Sequence, residues 1–266
     1  MLALFSINKF LGIPALASEN GEMVDHMLEL VHWFMLLLGI GWSIYLVLVF
    51  TKFRKPVNPQ ADYHGVRGHA STHIEIGVVI VEAILLLGFA FPLWSQQSEK
   101  YPTGRDVLKM RAVGEAFVWN FQYPGLDSTL GRQSVKLVDA ANGNTIGRDM
   151  KDPNGKDDFI KVGVMTLPKG RPVIVDVTSK DVIHSLALTP MRMTQDATPG
   201  VNGHMWFRPT KTGEWDIICA QLCGAGHSQM KAKLVVVEPK EFDDFVKEAS
   251  EGALKSSAPA PAAVKK

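Results

Sequence analysis

Four side chains that bind soft metals lie within twelve residues of one another near the end of the sequence. They are Cys219, Cys223, His227 and Met230, and a fifth candidate ligand, His184, lies 35 residues before Cys219. Thiolate and thioether sulfur favour copper, while imidazole suits copper and several other metals. The second cysteine argues against a mononuclear blue-copper centre. The pattern therefore predicts two copper ions bridged by two sulfurs.

Two other uses of these side chains remain open at this point. Zinc could take two cysteines and two histidines, but the spacing is not that of the usual zinc fingers, and Met230 would then have no role. Met230 could also be a filler of the core. A disulfide between Cys219 and Cys223 would close a very small loop and add little stability, so metal ligation is the better use of the pair.

The hydrophobic residues that raise the mean hydropathy of the chain to +0.06 are concentrated in two runs. They are Leu28–Phe50 and Ile74–Trp94, each about the 20 residues that a helix needs to cross a membrane. A buried helical hairpin is the alternative, which such uniformly apolar runs disfavour. We therefore expect a transmembrane hairpin over residues 26–97, with spans at about 28–50 and 74–96. The formal net charge of +1 gives no sign of nucleic-acid binding.

The charges beside the two runs predict their orientation. The connecting loop, Thr51–Gly68, holds four basic residues and one acidic residue, whereas Met1–Glu29 holds one lysine and four acidic residues. The positive-inside rule then places the loop in the cytoplasm and both termini outside the membrane.

The first 25 residues form either an extracytoplasmic segment or a signal sequence. Met1–Ala17 is apolar and runs into Pro-Ala-Leu-Ala-Ser, a small-residue pattern typical of a signal-peptidase site. Its one basic residue, Lys9, lies too deep for a normal signal sequence. Both interpretations remain open.

Short alternating runs and turn signals predict an all-β domain over residues 98–240. The candidate strands are Ala116–Phe121, Ser134–Asp139, Val162–Leu167, Pro172–Thr178, Met205–Arg208, Gly213–Ile218 and Lys233–Val237. Seven short strands at this spacing suggest a sandwich of Greek-key type. In residues 241–266 we expect a short helix over Glu241–Leu254 and a disordered tail over Ser256–Lys266.

The candidate ligands lie where two neighbouring strands would bring them together. The run from Cys219 to Met230 connects two predicted strands, and Gly224 and Gly226 allow its backbone to turn tightly. His184 must reach this loop from another strand.

Further motifs accompany the ligand run, and together they resemble subunit II of cytochrome c oxidase over the whole chain. These motifs are Asp181-Val-Ile-His184-Ser, Arg192-x3-Asp196-Ala-x-Pro199-Gly200 and Trp119-x-Phe121-x-Tyr123-Pro124. The resemblance implies two N-terminal transmembrane helices followed by an external cupredoxin-like domain with a dinuclear copper centre, CuA.

The resemblance also assigns the copper ligands. Cys219 and Cys223 would bridge the two ions, one histidine would bind each ion, and Met230 would be a weak axial ligand. The ligands so implied are His184, Cys219, the backbone carbonyl of Gln221, Cys223, His227 and Met230.

Three features depart from the family pattern. Gln221 replaces a glutamate that also helps to hold magnesium at the interface with subunit I, so that magnesium site is in doubt. Phe117 replaces a tryptophan near the surface where electrons enter, and Trp119 is the remaining candidate there. From Gln97 to Lys240 the chain holds 19 basic and 15 acidic residues. This balance favours an acidic donor, or a donor held in a supercomplex, over a strongly basic cytochrome c.

Two acidic residues lie in the second run. Glu75 matches a glutamate at the mouth of the family's proton channel, or it is an interfacial residue in headgroup water. Glu82 stands where the family has proline, and we expect it to contact another subunit because an ionisable group is costly in lipid. Arg192 and Asp196 are predicted at the interface with subunit I, with a local salt bridge as the alternative.

The function that the resemblance implies is electron transfer from a separate cytochrome c to CuA, and then to haem in subunit I. Oxygen would be reduced there with proton pumping, and a subunit III is expected in the complex. The location implied is the bacterial inner membrane, with the copper domain in the periplasm. A quinol oxidase subunit would lack the copper ligands, and a nitrous oxide reductase would carry a propeller domain. A membrane-tethered copper carrier would need no oxidase partner.

Overall fold

The computed structural model describes residues 6–61, 63–65 and 68–257. The chain divides into two compact units. One contains Met1–Ile13 and Met23–Glu99, and the other contains Pro14–Glu22 and Lys100–Lys266. Most of the predicted disordered tail, residues 258–266, lies outside the described residues.

The first unit is helical. Its helices are α1 (Ile7–Phe10), α2 (Gly21–Lys52), α3 (Ala70–Leu85) and α4 (Phe91–Ser98), with a π-helical turn at Leu86–Ala90 between α3 and α4. The helical stretches Gly21–Lys52 and Ala70–Ser98 are both long and apolar enough to cross a membrane, and their most apolar windows are unburied within the chain. Each contains one predicted span. The two long apolar helices that the sequence predicts are therefore confirmed.

The second unit contains ten strands among the described residues. They are β1 (Leu108–Glu115), β2 (Val118–Tyr123), β3 (Phe159–Val162), β4 (Val164–Pro168), β5 (Val173–Ser179), β6 (His184–Leu188), β7 (Met193–Ala197), β8 (Gly203–Phe207), β9 (Gly213–Cys219) and β10 (Lys231–Val237). One sheet has the order β3-β2-β1-β5-β8 and the other β4-β10-β9-β6-β7. The predicted β sandwich is confirmed.

The strand predictions were wrong at one place and incomplete at others. Ser134–Asp139 is not a strand, because the Ser134 side chain accepts a hydrogen bond from the amide of Lys136 and starts a 3-10 turn instead. The predicted strand Val162–Leu167 is broken at Gly163, whose φ of +74° ends β3 and starts β4. The strands β1, β6 and β7 were not predicted.

Aromatic side chains fill the space between the sheets and the last helix, α5 (Pro239–Ser257). Tyr123 stacks on Phe159 at 5.0 Å between ring centroids, and Phe242 and Phe245 of α5 pack against it. The Tyr123 hydroxyl donates to the carbonyl of Thr166 and accepts from its amide, which ties β2 of one sheet to β4 of the other. The predicted helix Glu241–Leu254 is confirmed as part of α5.

Candidate metal centre

The register of two antiparallel strands places the upstream histidine beside the first cysteine. β6 begins at His184 and β9 ends at Cys219, with Leu186 opposite Cys219 in the ladder. Just beyond the ladder, the amide of Ala220 donates to the carbonyl of Ser185 at 3.0 Å. Because antiparallel strands bring the start of one next to the end of the other, ligands 35 residues apart in sequence become neighbours.

The other candidate ligands come from the loop between β9 and β10. The amide of Cys219 donates to the carbonyl of Met230 at 3.2 Å, so the two ends of the loop are hydrogen-bonded. A short 3-10 turn, His227–Gln229, precedes Met230. The loop thus brings three potential donor side chains, those of Cys223, His227 and Met230, close to Cys219.

The sulfur and nitrogen atoms of these side chains converge. The two sulfurs, Cys219 Sγ and Cys223 Sγ, are 3.9 Å apart. His184 Nδ1 lies 4.0 Å from Cys219 Sγ, and His227 Nδ1 lies 3.6 Å from Cys223 Sγ. Met230 Sδ is 3.8 Å from Cys223 Sγ. One imidazole nitrogen therefore lies beside each cysteine sulfur.

The donor set fits soft metal ions. In tetrahedral sites with metal–sulfur bonds of about 2.3 Å, two ligand sulfurs of one ion lie roughly 3.8 Å apart. The two sulfur–sulfur separations, 3.9 Å between the cysteines and 3.8 Å between Cys223 and Met230, match this spacing. The backbone carbonyl of Gln221, 3.2 Å from Cys219 Sγ, adds an oxygen donor. Two thiols, two imidazoles, a thioether and a carbonyl exceed the four donors of one structural zinc ion and suit two copper ions.

The surroundings keep the Cys223 thiol protonated until a metal displaces the proton. Burial, together with the neighbouring Cys219 thiol, raises the pKa of the Cys223 thiol to about 11. Cys219 is buried and Met230 is 1% exposed. Because the thiolate is the ligand, metal binding at this site must release protons.

Asp181, which was not among the predicted site residues, orients the His184 ring. His184 Nε2 donates to Asp181 Oδ1 at 2.8 Å. Burial favours the neutral carboxyl, but hydrogen bonds from His184 and from the amides of Ala116 and Val182 outweigh it and lower the pKa of Asp181. An ionised carboxylate only accepts, so the proton lies on Nε2 and the Nδ1 lone pair faces the sulfurs. In the sequence, the sign of this contact was that Asp181 lies three residues before His184.

Two residues of the other sheet, Trp119 and Gly114, pack against the His184 ring. Trp119 is fully buried, and its ring meets the His184 ring edge-on with 6.0 Å between centroids. Gly114 lies so close that a Cβ there would be 2.8 Å from His184 Cδ2. His184 itself is 0% exposed, so the imidazole is fixed on all sides.

Phe117 covers the backbone of the ligand loop. A Cβ at Gly226 would clash with the Phe117 ring, and one at Gly224 would lie 3.3 Å from it. The ring is 38% exposed, so one side faces the loop and the other faces solvent. Of the two aromatic residues considered for the surface where electrons enter, Phe117 lies at the surface, whereas Trp119 is buried against His184.

The comparisons with known proteins agree with this geometry. Residues 108–238 match the family model described as cytochrome c oxidase subunit II, periplasmic domain. The chain belongs to the cytochrome c oxidase subunit II family. Its two apolar helices and cupredoxin-like domain have the architecture that the sequence resemblance implies.

Relatives match most of the length of this subunit II chain. The alternative cytochrome c oxidase subunit 2 of Bradyrhizobium diazoefficiens is 29% identical over 87% of this chain and 82% of its own. Cytochrome c oxidase subunit 2 of Cereibacter sphaeroides is 25% identical over 87% of this chain and 80% of its own. The crystal structure of the periplasmic domain of subunit II from Bradyrhizobium japonicum is 27% identical, covers 57% of this chain and 99% of its own, and gives a TM-score of 0.40.

The remaining predicted residues of this subunit II do not join the ligand cluster. Arg192 follows a 3-10 turn, and its guanidinium donates to the carbonyls of Thr189 and Pro14. Asp196 is exposed on β7, opposite Ser185 in the ladder. Glu75 and Glu82 are exposed along α3 of the isolated chain. Their expected contacts with other subunits stay predictions.

Proposed function

We propose that this chain accepts electrons for an oxidase at a dinuclear copper centre. The ligands would be His184, Cys219, the carbonyl of Gln221, Cys223, His227 and Met230. The observation that supports the proposal best is the placement of one imidazole nitrogen beside each of two cysteine sulfurs that are 3.9 Å apart. A bound copper pair would supply a one-electron carrier whose charge is shared between two ions.

The protein would hold these ligands rigidly, so that electron transfer needs little rearrangement. The cysteines come from one end of a strand and from a loop closed by the Cys219–Met230 backbone hydrogen bond. Asp181, Trp119 and Gly114 restrict the His184 ring. Ligands fixed before the electron arrives keep the reorganisation small, and the burial of His184, Cys219 and Met230 shields part of the site from water.

The partners follow from membership in the family. As an oxidase subunit, the chain would pass electrons to haem in subunit I, where oxygen is reduced to water and protons are pumped, with subunit III also in the complex. The donor would be a separate cytochrome c, acidic or held in a supercomplex. The copper domain and both termini would lie on the periplasmic side of the bacterial inner membrane, with Thr51–Gly68 in the cytoplasm.

Gln221 is the residue that would distinguish this subunit at the oxidase interface. Its carbonyl is 3.2 Å from Cys219 Sγ and is available to copper, as the family pattern requires. Its side chain is a neutral amide, which is a poorer ligand for magnesium than the carboxylate it replaces. We therefore propose that the interfacial magnesium is bound weakly or is absent.

Five further residues have proposed roles that rest on the resemblance. Phe117 would meet the electron donor, since it is exposed beside the ligand loop, and Trp119 would act through its contact with His184. Glu75 would lie at the mouth of the proton channel. Arg192 and Asp196 would face subunit I.

Purification of the native complex tests the proposed function. We expect the chain to co-purify with a haem-bearing subunit, with cytochrome c-dependent oxygen consumption and two copper ions per chain above those of subunit I. A copper carrier would purify without haem and without oxygen consumption. One zinc ion per chain in place of copper would contradict the proposal.

A further inference from the structure

Residues 6–22 are held in place by two independent sets of contacts, on either side of the possible signal-peptidase site. The first set lies in the helical unit. The carboxylate of Glu29 on α2 accepts hydrogen bonds from the amides of Ile7 and Asn8 and from the hydroxyl of Ser6, at 2.8 to 3.2 Å. The Asn8 side chain also donates to the carbonyl of Asp25 at 2.9 Å. The first turn of α1 is thus capped by a residue of the first long helix.

The second set of contacts ties the segment Pro14–Glu22 into the β domain through its backbone. The amide of Ala17 donates to the carbonyl of Pro190, and the amide of Thr210 donates to the carbonyl of Ala17, both at 2.8 Å. The amide of Glu19 donates to the carbonyl of Arg208 at 3.0 Å. The segment therefore runs beside the chain that follows β8, as a short additional strand would.

The same segment is also buried. Ala17 is 0% exposed and belongs to the hydrophobic core of the domain, and Ser18 is 1% exposed. The Ser18 hydroxyl donates to the carbonyl of Met191 at 2.8 Å, and Asn20 Oδ1 accepts from the amide of Arg208 at 3.1 Å. The peptide bond that a signal peptidase would cut, between Ala17 and Ser18, lies inside the folded domain.

We propose that residues 6–22 remain in the mature protein and that Pro14–Glu22 is a structural element of the external β domain. In the folded domain both backbone groups of Ala17 are hydrogen-bonded, and both residues of the Ala17–Ser18 bond are buried. Cleavage of the Ala17–Ser18 bond would take Ala17 out of the core and leave the buried Pro190 carbonyl without the Ala17 amide that pairs with it, which buried groups rarely tolerate. This inference does not depend on the copper site.

The mature N-terminus tests the proposal directly. Intact-mass measurement and N-terminal sequencing of the chain purified from its native membrane should show a protein that begins no later than Ser6 and so contains the Ala17–Ser18 bond. A mature chain that begins at Ser18 would overturn the proposal.

Two alanines of the same motif provide a matched pair of variants. Signal peptidase requires small residues at both positions of an Ala-x-Ala motif, here Ala15 and Ala17. Ala15 is exposed, whereas Ala17 is fully buried. If Ala17 is a packing residue, Ala17→Glu should lower the Tm of the purified complex by about 5–10 °C while Ala15→Glu leaves it within about 1 °C.

A milder variant keeps the comparison usable if Ala17→Glu fails to fold. Ala17→Val should lower the Tm by a few degrees, because the core there is closed to added methyl groups. In all three variants the N-terminus should be that of the wild type. A longer chain in both Ala15→Glu and Ala17→Glu than in the wild type would show that the motif is a cleavage site, and would overturn the proposal.

Discussion

His184 donates its Nε2 proton to Asp181 at 2.8 Å, and this hydrogen bond turns the Nδ1 lone pair of the same ring toward Cys219. The carboxylate also accepts from the amide of Ala116 on the neighbouring turn. Asp181 therefore fixes both the tautomer and the orientation of His184, one of the proposed copper ligands, and it links that residue to the turn that carries Phe117.

Removal of the Asp181 charge should weaken metal binding without unfolding the domain. Asp181→Asn keeps the shape of the side chain but removes the carboxylate that holds the imidazole in place. We expect about a 10–100-fold loss of copper affinity, measured by competition with a chelator. Asp243→Asn, at an exposed position on α5, is the control and should bind copper as the wild type does. Equal affinity in both variants would show that His184 does not depend on Asp181.

Gly114 should be intolerant of any side chain because the His184 ring occupies the space. An alanine Cβ would lie 2.8 Å from His184 Cδ2. Gly114→Ala should displace the ring, alter the optical spectrum of the copper-loaded protein and reduce stability by about 1–3 kcal/mol. Gly252→Ala on α5, where a Cβ meets nothing within 4 Å, is the matched control. An unchanged spectrum in Gly114→Ala would show that the His184 ring does not fill the space beside Gly114.

Phe117 and Gly226 should show strong coupling in a double-mutant cycle. Gly226 has a φ of −93°, which alanine adopts readily, so the cost of Gly226→Ala comes from the Phe117 ring alone. We expect Gly226→Ala to lower the free energy of unfolding, and Phe117→Ala to restore part of it in the double variant. The coupling should be about 1–3 kcal/mol. Simple additivity, measured by denaturant unfolding, would mean that the ring does not rest on the loop.

At pH 7 the buried charge of Asp158 should make the domain less stable than an asparagine at the same position would. Burial is the largest influence on its carboxyl and raises the pKa above the ordinary value of 3.8, against hydrogen bonds from Gly131 and Gln122. Since the folded state disfavours the charged form, Asp158→Asn should unfold at a higher temperature at pH 7. Its advantage should shrink as the pH falls through the raised pKa toward about 4, where the native carboxyl takes up its proton first.

Thermal unfolding of the two proteins from pH 7 to pH 4 measures that difference. Asp244→Asn, at an exposed position of α5, corrects for the titration of other groups. If the Tm advantage of Asp158→Asn over the wild type increased as the pH fell, the prediction would be contradicted.

The sequence predicted which side chains converge, because its strongest signal is local. Cys219, Cys223, His227 and Met230 lie in one loop, so their spacing alone brings them together, and the apolar runs of the two long helices are equally local. His184 was expected to come from another strand, but β6 itself was missed. All five residues of β6 are buried, so it lacks the polar alternation by which half-buried strands are recognised.

Other features could not be predicted because they depend on contacts distant in sequence. Ala17 packs beside Pro190 and Thr210, and no local pattern distinguishes this buried segment from a signal sequence. Ser134–Asp139 alternates as a strand does, yet capping by the Ser134 side chain overrides that preference. The role of Asp181 requires the strand register to be known, although its distance from His184 in sequence was visible.

The central claim is that Cys219 and Cys223 bridge two copper ions, and electron paramagnetic resonance tests it most directly. The copper-loaded protein should give a mixed-valence signal in which one unpaired electron is shared by two copper nuclei, and Cys219→Ser should abolish that signal. A signal from a single copper nucleus in the wild type, or an unchanged spectrum in Cys219→Ser, would contradict the account.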